Sequence, residues 1–212
     1  MRRLSEIAVV LVIAAAASNP VDLAKEKLEA SVHRPYDPAQ AKELTRAFTA
    51  EPKLAEAYLA AKEAAEGDAD ARAAAFEELP KEIRSSPDGL FTEALFGAAA
   101  DRSDEQVALL EACRLASTDH IFARFHLGRI FRKKDPDRAE AIARELIELH
   151  PATGYGMLSD ILHAKGDLDG EIEATKAFIE AGGAEDMGIP SRMAEEKLPS
   201  MLEKQKEKNT EL

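Results

Sequence analysis

The chain has 212 residues, of which 45% are apolar, and carries a formal net charge of −12. This charge argues against a nucleic acid partner, because phosphate binding depends on Lys and Arg. The single cysteine, Cys113, excludes an intramolecular disulfide and a cysteine-based metal framework. Aromatic residues make up only 5% and Trp is absent, so the composition favours an all-α fold.

Residues 1–18 have the layout of a secretory signal peptide. Arg2 and Arg3 precede an apolar run at 7–17, and small residues follow. We therefore predict a cleaved segment and a protein exported to the bacterial periplasm or cell envelope. The alternative is a cytoplasmic protein with a structural apolar N-terminal helix, since Glu6 adjoins the run. The run is too short to span a bilayer, which needs about 20 residues, and we predict no integral membrane span.

Residues 19–52 are predicted to form two N-terminal helices. The first covers 21–32 and the second covers 39–50. Pro35 and Pro38 separate them, because proline disrupts a helix interior but is tolerated in a first turn. We interpret this part as a candidate degenerate repeat unit.

The central segment, 53–183, repeats with a period of 31 residues. Leucine or phenylalanine followed by a small residue recurs at 96–97, 127–128 and 158–159. A fixed period of this size is typical of stacked supersecondary units. The pattern predicts a loosely matching helix pair at 54–66 and 70–83, followed by three clear pairs: 90–100 with 104–116, 121–133 with 136–149, and 152–165 with 168–181.

Residues 184–212 are predicted to form a C-terminal capping helix and a charged tail. Gly182 and Gly183 end the last pair, and Pro190 opens a helix that continues to about Lys206. An open array needs such a cap, because its end unit otherwise exposes an apolar face.

The repeat resembles the tetratricopeptide (TPR) unit. Leu127-Gly128, Phe131, Ala139 and Pro151 match the pattern of that family well. The resemblance covers 53–183 and implies a TPR-like α-solenoid, a right-handed superhelix of antiparallel helix pairs that serves as a non-catalytic protein interaction module or scaffold. The period is shorter than the usual 34 residues, so Sel1-like and other short helix-pair repeats remain alternatives.

The resemblance also implies that the first helix of each unit lines a concave groove. Segment 120–134 contains five Lys or Arg residues and no acidic residue, although the chain is acidic overall. We predict that this groove binds a protein or peptide with an acidic segment or a C-terminal carboxylate. Alternatively, the basic side chains pair with Glu105, Glu111, Glu140 or Glu145. The candidate partner-binding residues are Phe91, Phe122, Phe125, Arg129, Arg132, Lys133, Asp160 and His163.

The sequence contains no pattern that predicts catalysis. It lacks a nucleophile with a base, a phosphate-binding glycine loop and a zinc-binding motif on a helix. Cys113, Asp119, His120 and His126 match no established ligand spacing, so we predict no metal, cofactor or catalytic residue. Besides the interaction module, two functions stay open: a cytoplasmic assembly factor and a non-catalytic accessory subunit of an enzyme.

Overall fold

The computed structural model describes residues 19–33, 37–64, 68–101, 103–185 and 189–210. The predicted signal peptide at 1–18 lies outside these residues. Within them the regular secondary structure is helical apart from two paired strands of two residues each, which confirms the all-α prediction. The elements are α1 Pro20–Glu29, α2 Asp37–Ala50, α3 Pro52–Glu63, α4 Ala69–Glu77, α5 Lys81–Arg84, α6 Pro87–Phe96, a 3₁₀ turn Ala98–Asp101, α7 Ser103–Ala116, α8 Ile121–Lys134, α9 Pro136–Leu149, α10 Pro151–Lys165, α11 Leu168–Glu180, β1 Gly183–Ala184, β2 Ile189–Pro190 and α12 Arg192–Thr210.

Neighbouring helices pack against one another in chain order. The three clear repeat units are the pairs α6–α7, α8–α9 and α10–α11, and α7–α8 and α9–α10 contacts join each unit to the next. Helix α12 packs on α11, at the end of the array. This sequential packing is consistent with the helical repeat that the 31-residue period predicts.

Local sequence signals explain several helix starts. Asp135 and Asp167 cap α9 and α11 by accepting a hydrogen bond from the backbone three residues on. His120 and His150 cap α8 and α10 in the same way through Nδ1. The predicted helix at 70–83 is divided into α4 and α5, because Pro80 lacks an N–H group and disfavours helical conformation in the residue before it.

Two glycines allow the helices of the last two units to approach closely. A Cβ atom added at Gly128 of α8 would lie 2.2 Å from Sδ of Met157 on α10. A Cβ atom added at Gly154 of α10 would lie 2.4 Å from the backbone nitrogen of Ile147 on α9. A side chain at Gly154 would therefore push α9 and α10 apart, whereas one at Gly128 would first displace the flexible side chain of Met157.

Ion pairs connect the second helices of successive units. Arg114 on α7 lies 3.0 Å from Glu145 on α9, and Arg138 on α9 lies 2.8 Å from Glu111 on α7. These pairs are partly exposed, so each contributes only about 0–1 kcal/mol. Buried apolar side chains form the core between the helices, and its largest aliphatic members in the three clear units are Leu110, Leu127, Leu146, Ile161 and Ile172.

No helix among the described residues is long and apolar enough to cross a membrane.

Candidate partner-binding cavity

A cavity of about 490 Å³ opens between α8, α10, α11 and the segment from β2 to α12. We call it the main cavity. Its walls include the first helices of two successive repeat units, α8 and α10. It is lined by Phe125, Gly128, Arg129, Arg132, Thr153, Gly156, Met157, Ser159, Asp160, Thr175, Phe178, Ile189, Pro190, Ala194 and Lys197.

Three large apolar side chains from three helices lie against the main cavity. Phe125, Met157 and Phe178 are largely buried but line it. They can bury part of an apolar side chain of a ligand, which is the usual source of affinity at such sites. Ser159 and Thr175 add a polar contact, because their hydroxyl oxygens lie 2.8 Å apart in a hydrogen bond.

Basic side chains surround this apolar surface. Arg129 and Arg132 come from α8, and Lys197 comes from α12. The guanidinium carbon of Arg129 lies 5.9 Å from the ring centroid of Phe125, so the cation and the apolar surface are adjacent. Arg132 lies 3.4 Å from Asp160, whose side chain is 65% exposed. Because an exposed ion pair of this kind is weak, another anion can readily replace Asp160 at Arg132.

A buried carboxylate holds α12 in place as one wall of the main cavity. Glu171 on α11 is 3% exposed and accepts a 2.8 Å hydrogen bond from the Lys197 ammonium. Its other oxygen lies 3.0 Å from Nδ1 of His163. Burial raises the pKa of Glu171, but the hydrogen bonds from Lys197 and His163 outweigh it and hold that pKa below its usual range. Gln205 of α12 also donates to Asp169 of α11, at 2.6 Å.

Four of the predicted partner-binding residues lie together. Phe125, Arg129, Arg132 and Asp160 all line the main cavity. Arg132 and Asp160, which are 28 residues apart, are in direct contact.

The other four predicted residues lie elsewhere. Phe91 is 1% exposed and packs in the core, where its ring centroid lies 4.7 Å from that of His120. Phe122 lines a different pocket, near the start of α8. Lys133 is exposed on α8 outside the main cavity, and His163 contacts Glu171 instead.

The three arginines of α8 have different surroundings. Arg124 is 5% exposed; its Nε lies 3.2 Å from Glu145, and it donates to the carbonyl oxygens of Ser117 and His120. For Arg124 the alternative of pairing with an acidic neighbour therefore holds. Arg129 and Arg132 line the main cavity, and Arg132 pairs there with Asp160.

Sequence reasoning did not find the contributions of α11 and α12 to the main cavity. Phe178, Ile189 and Lys197 come from the second helix of a unit and from the C-terminal segment, which was predicted only as a cap. No local pattern marks these positions, because the fold alone brings them to the cavity.

No protein-family model matches the sequence. No curated protein matches it significantly. The repeat pattern and the geometry of the main cavity are therefore the basis for a functional proposal.

Proposed function

We propose that the chain is a TPR-like α-solenoid that acts as a non-catalytic protein interaction module or scaffold. The right-handed superhelix comes from the resemblance to the TPR family, and the sequential helix pairs are consistent with it. The observation that carries the proposal is the main cavity, in which an apolar surface and three basic side chains meet in a protein of net charge −12.

The proposed ligand is a segment of a partner protein that combines an apolar anchor with an acidic side chain or a C-terminal carboxylate. The apolar anchor would contact Phe125, Met157 and Phe178. The carboxylate would accept hydrogen bonds from Arg129 and Arg132, whose planar guanidinium groups bind carboxylates through paired hydrogen bonds. Lys197 is paired with buried Glu171 and Arg132 with exposed Asp160, so an anionic ligand would bind Arg132 by replacing Asp160.

The affinity for one short segment would be modest. Ordering of the peptide and desolvation of Arg132 and Asp160 both reduce the gain from the contacts. Micromolar binding, about −8 kcal/mol, is typical of such sites. A partner that also touches surfaces outside the main cavity would bind more tightly.

Selection from a displayed library of random peptides with free C-termini tests this proposal. We expect enriched peptides to combine Asp or Glu with a large apolar residue, and to bind at least tenfold more weakly to an Arg129→Glu/Arg132→Glu variant. Comparing each peptide with its C-terminal amide separates recognition of a side-chain carboxylate from recognition of the terminal one. Absence of enrichment, or equal binding by the variant, would refute the proposed binding site.

The site of action is a separate proposal. The layout of residues 1–18 supports export to the bacterial periplasm or envelope. The intact mass of the protein isolated from its native cells tests this: loss of about the first 18 residues supports export. A retained N-terminal segment would instead support the cytoplasmic assembly factor.

A further inference from the structure

A second pocket, of about 430 Å³, lies where α2 meets the starts of α6 and α8. We call it the α2–α6 pocket. Glu43 of α2, Asp88 of α6 and His120 before α8 all line it, and one potential ligand atom of each lies within 4.8 Å of the other two. These residues come from three separate parts of the chain, so the fold alone brings them together.

His120 is the unusual member of this group. The residue is only 8% exposed, and its Nδ1 accepts a 3.1 Å hydrogen bond from the backbone N–H of Ala123. Its other ring nitrogen, Nε2, is buried and has no hydrogen-bond partner among the described residues. A buried polar atom without a partner is unfavourable, and natural structures rarely retain one without a reason. Nε2 is therefore the atom through which His120 can bind a ligand.

The chemistry of the three side chains suits a transition-metal ion. One imidazole nitrogen and two carboxylate oxygens are ligands that Zn²⁺ accepts, at about 2.0–2.2 Å each. Ligand atoms around tetrahedral zinc are about 3.3 Å apart at those bond lengths, so a small inward movement from the observed spacing completes the site. The imidazole favours zinc and its transition-metal neighbours over Mg²⁺ or Ca²⁺, which prefer oxygen ligands alone.

Arg46 provides the positive charge between the two carboxylates in this structure. Its Nη2 lies 2.8 Å from Glu43 and 2.9 Å from Asp88. The Arg46 side chain is 57% exposed, so it can rotate into solvent and leave both carboxylates to a metal ion. Metal binding at Nε2 also requires the His120 proton to move to Nδ1, which gives up the hydrogen bond to Ala123.

We propose that Glu43, Asp88 and His120 bind a divalent transition-metal ion of the zinc class, and that the ion replaces the Arg46 guanidinium. The bound ion joins α2 to the first two clear repeat units, because its ligands lie on α2, on α6 and at the start of α8. With three protein ligands, a tetrahedral ion keeps a fourth position for water. This site is independent of the main cavity.

Titration of the chelator-treated protein with Zn²⁺, and with Co²⁺ as a coloured substitute, tests the proposal. We expect one equivalent to bind, with visible Co²⁺ absorption typical of tetrahedral nitrogen and oxygen ligands, and with a rise in melting temperature. Glu43→Gln and Asp88→Asn should each weaken binding at least tenfold. Glu56→Gln, on the exposed face of α3, is the matched control and should bind as the wild type does.

The Arg46→Gln variant makes the test independent of any folding defect in the ligand variants. Because Arg46 competes with the ion for both carboxylates, its removal should tighten Zn²⁺ binding at least threefold. Lys42→Gln removes the same charge from an exposed position on α2 and should have less effect. The proposal is overturned if no equivalent of metal binds, if the ligand variants bind normally, or if Arg46→Gln leaves the affinity unchanged or weaker.

Discussion

Replacement of Gly154 by alanine tests the helix packing most sharply. An added Cβ atom would lie 2.4 Å from the nitrogen and 2.6 Å from Cα of Ile147, so it would meet backbone atoms of α9. Backbone cannot rotate away as a side chain can. Ordinary contact therefore requires α9 and α10 to separate by about 1 Å, which is an overpacking defect.

The net effect follows from two opposing contributions. Overpacking costs about 1–3 kcal/mol, and alanine gains at most about 1 kcal/mol over glycine from helix propensity. An added atom that meets backbone should cost an amount near the upper limit of that overpacking range, so Gly154→Ala should destabilise the protein by about 1–2 kcal/mol. For a chain of this length, that lowers the melting temperature by about 2–8 °C.

Gly128→Ala is the matched control. Its Cβ atom would meet Sδ of Met157 at 2.2 Å, but this flexible side chain borders the main cavity and has space to move. The cost of a shifted rotamer, about 0.5–1.5 kcal/mol, nearly cancels the propensity gain. Gly128→Leu exceeds that space and should destabilise by about 1–3 kcal/mol.

Thermal and urea unfolding followed by circular dichroism measures all three variants. The expected order of stability is wild type and Gly128→Ala together, with Gly154→Ala and Gly128→Leu clearly lower. A Gly154→Ala variant as stable as the wild type would refute the close approach of α9 and α10. An unchanged melting curve for Gly128→Leu would refute the register of α8 against α10.

Three further predictions concern buried polar groups. The folded-state pKa of Glu171 lies below the unfolded value of about 4.3. Ionised Glu171 therefore stabilises the protein above about pH 4.3, and this stability is lost as the pH falls, so the melting temperature of the wild type should fall more steeply below that pH than that of Glu171→Gln. Parallel curves of melting temperature against pH would contradict the account of α12. Arg124→Met should destabilise by about 1–3 kcal/mol, because it removes the ion pair of this buried side chain with Glu145 and its hydrogen bonds to the carbonyl oxygens of Ser117 and His120. Lys133→Met should change stability by less than about 0.5 kcal/mol, and equal effects in unfolding experiments would refute this distinction. Burial raises the pKa of the Cys113 thiol to about 12, so iodoacetamide at pH 8 should label it only after unfolding, and labelling of the native protein would show that Cys113 is accessible.

The sequence was sufficient to predict the helical class and the helix pairs of the three clear units. The 31-residue period fixes equivalent positions, and proline with a capping residue marks several helix starts. The break between α4 and α5 was missed, although Pro80 signals it. The hairpin of β1 and β2 was also missed, because two-residue strands carry no periodic pattern.

The candidate sites were predictable only where the first helices of the repeat units supply their residues. The period places Phe125, Arg129 and Arg132 on one helix and Asp160 on its repeat equivalent. It contains no information on Lys197, which reaches the main cavity because α12 folds back onto α11. Glu43 and Asp88 are 45 residues apart, and their contact through Arg46 depends on how α2 packs against α6.

The affinity of one acidic peptide for three forms of the protein tests the central claim most directly. The peptide is the strongest binder from the displayed library, and its fluorescence anisotropy is measured with wild type, with Arg129→Glu/Arg132→Glu and with Lys133→Glu. Lys133 is the control, because it lies beside Arg132 on α8 but does not line the main cavity. We predict at least tenfold weaker binding to the double variant and less than a twofold change for Lys133→Glu. Equal weakening by both, or by neither, would contradict binding in the main cavity.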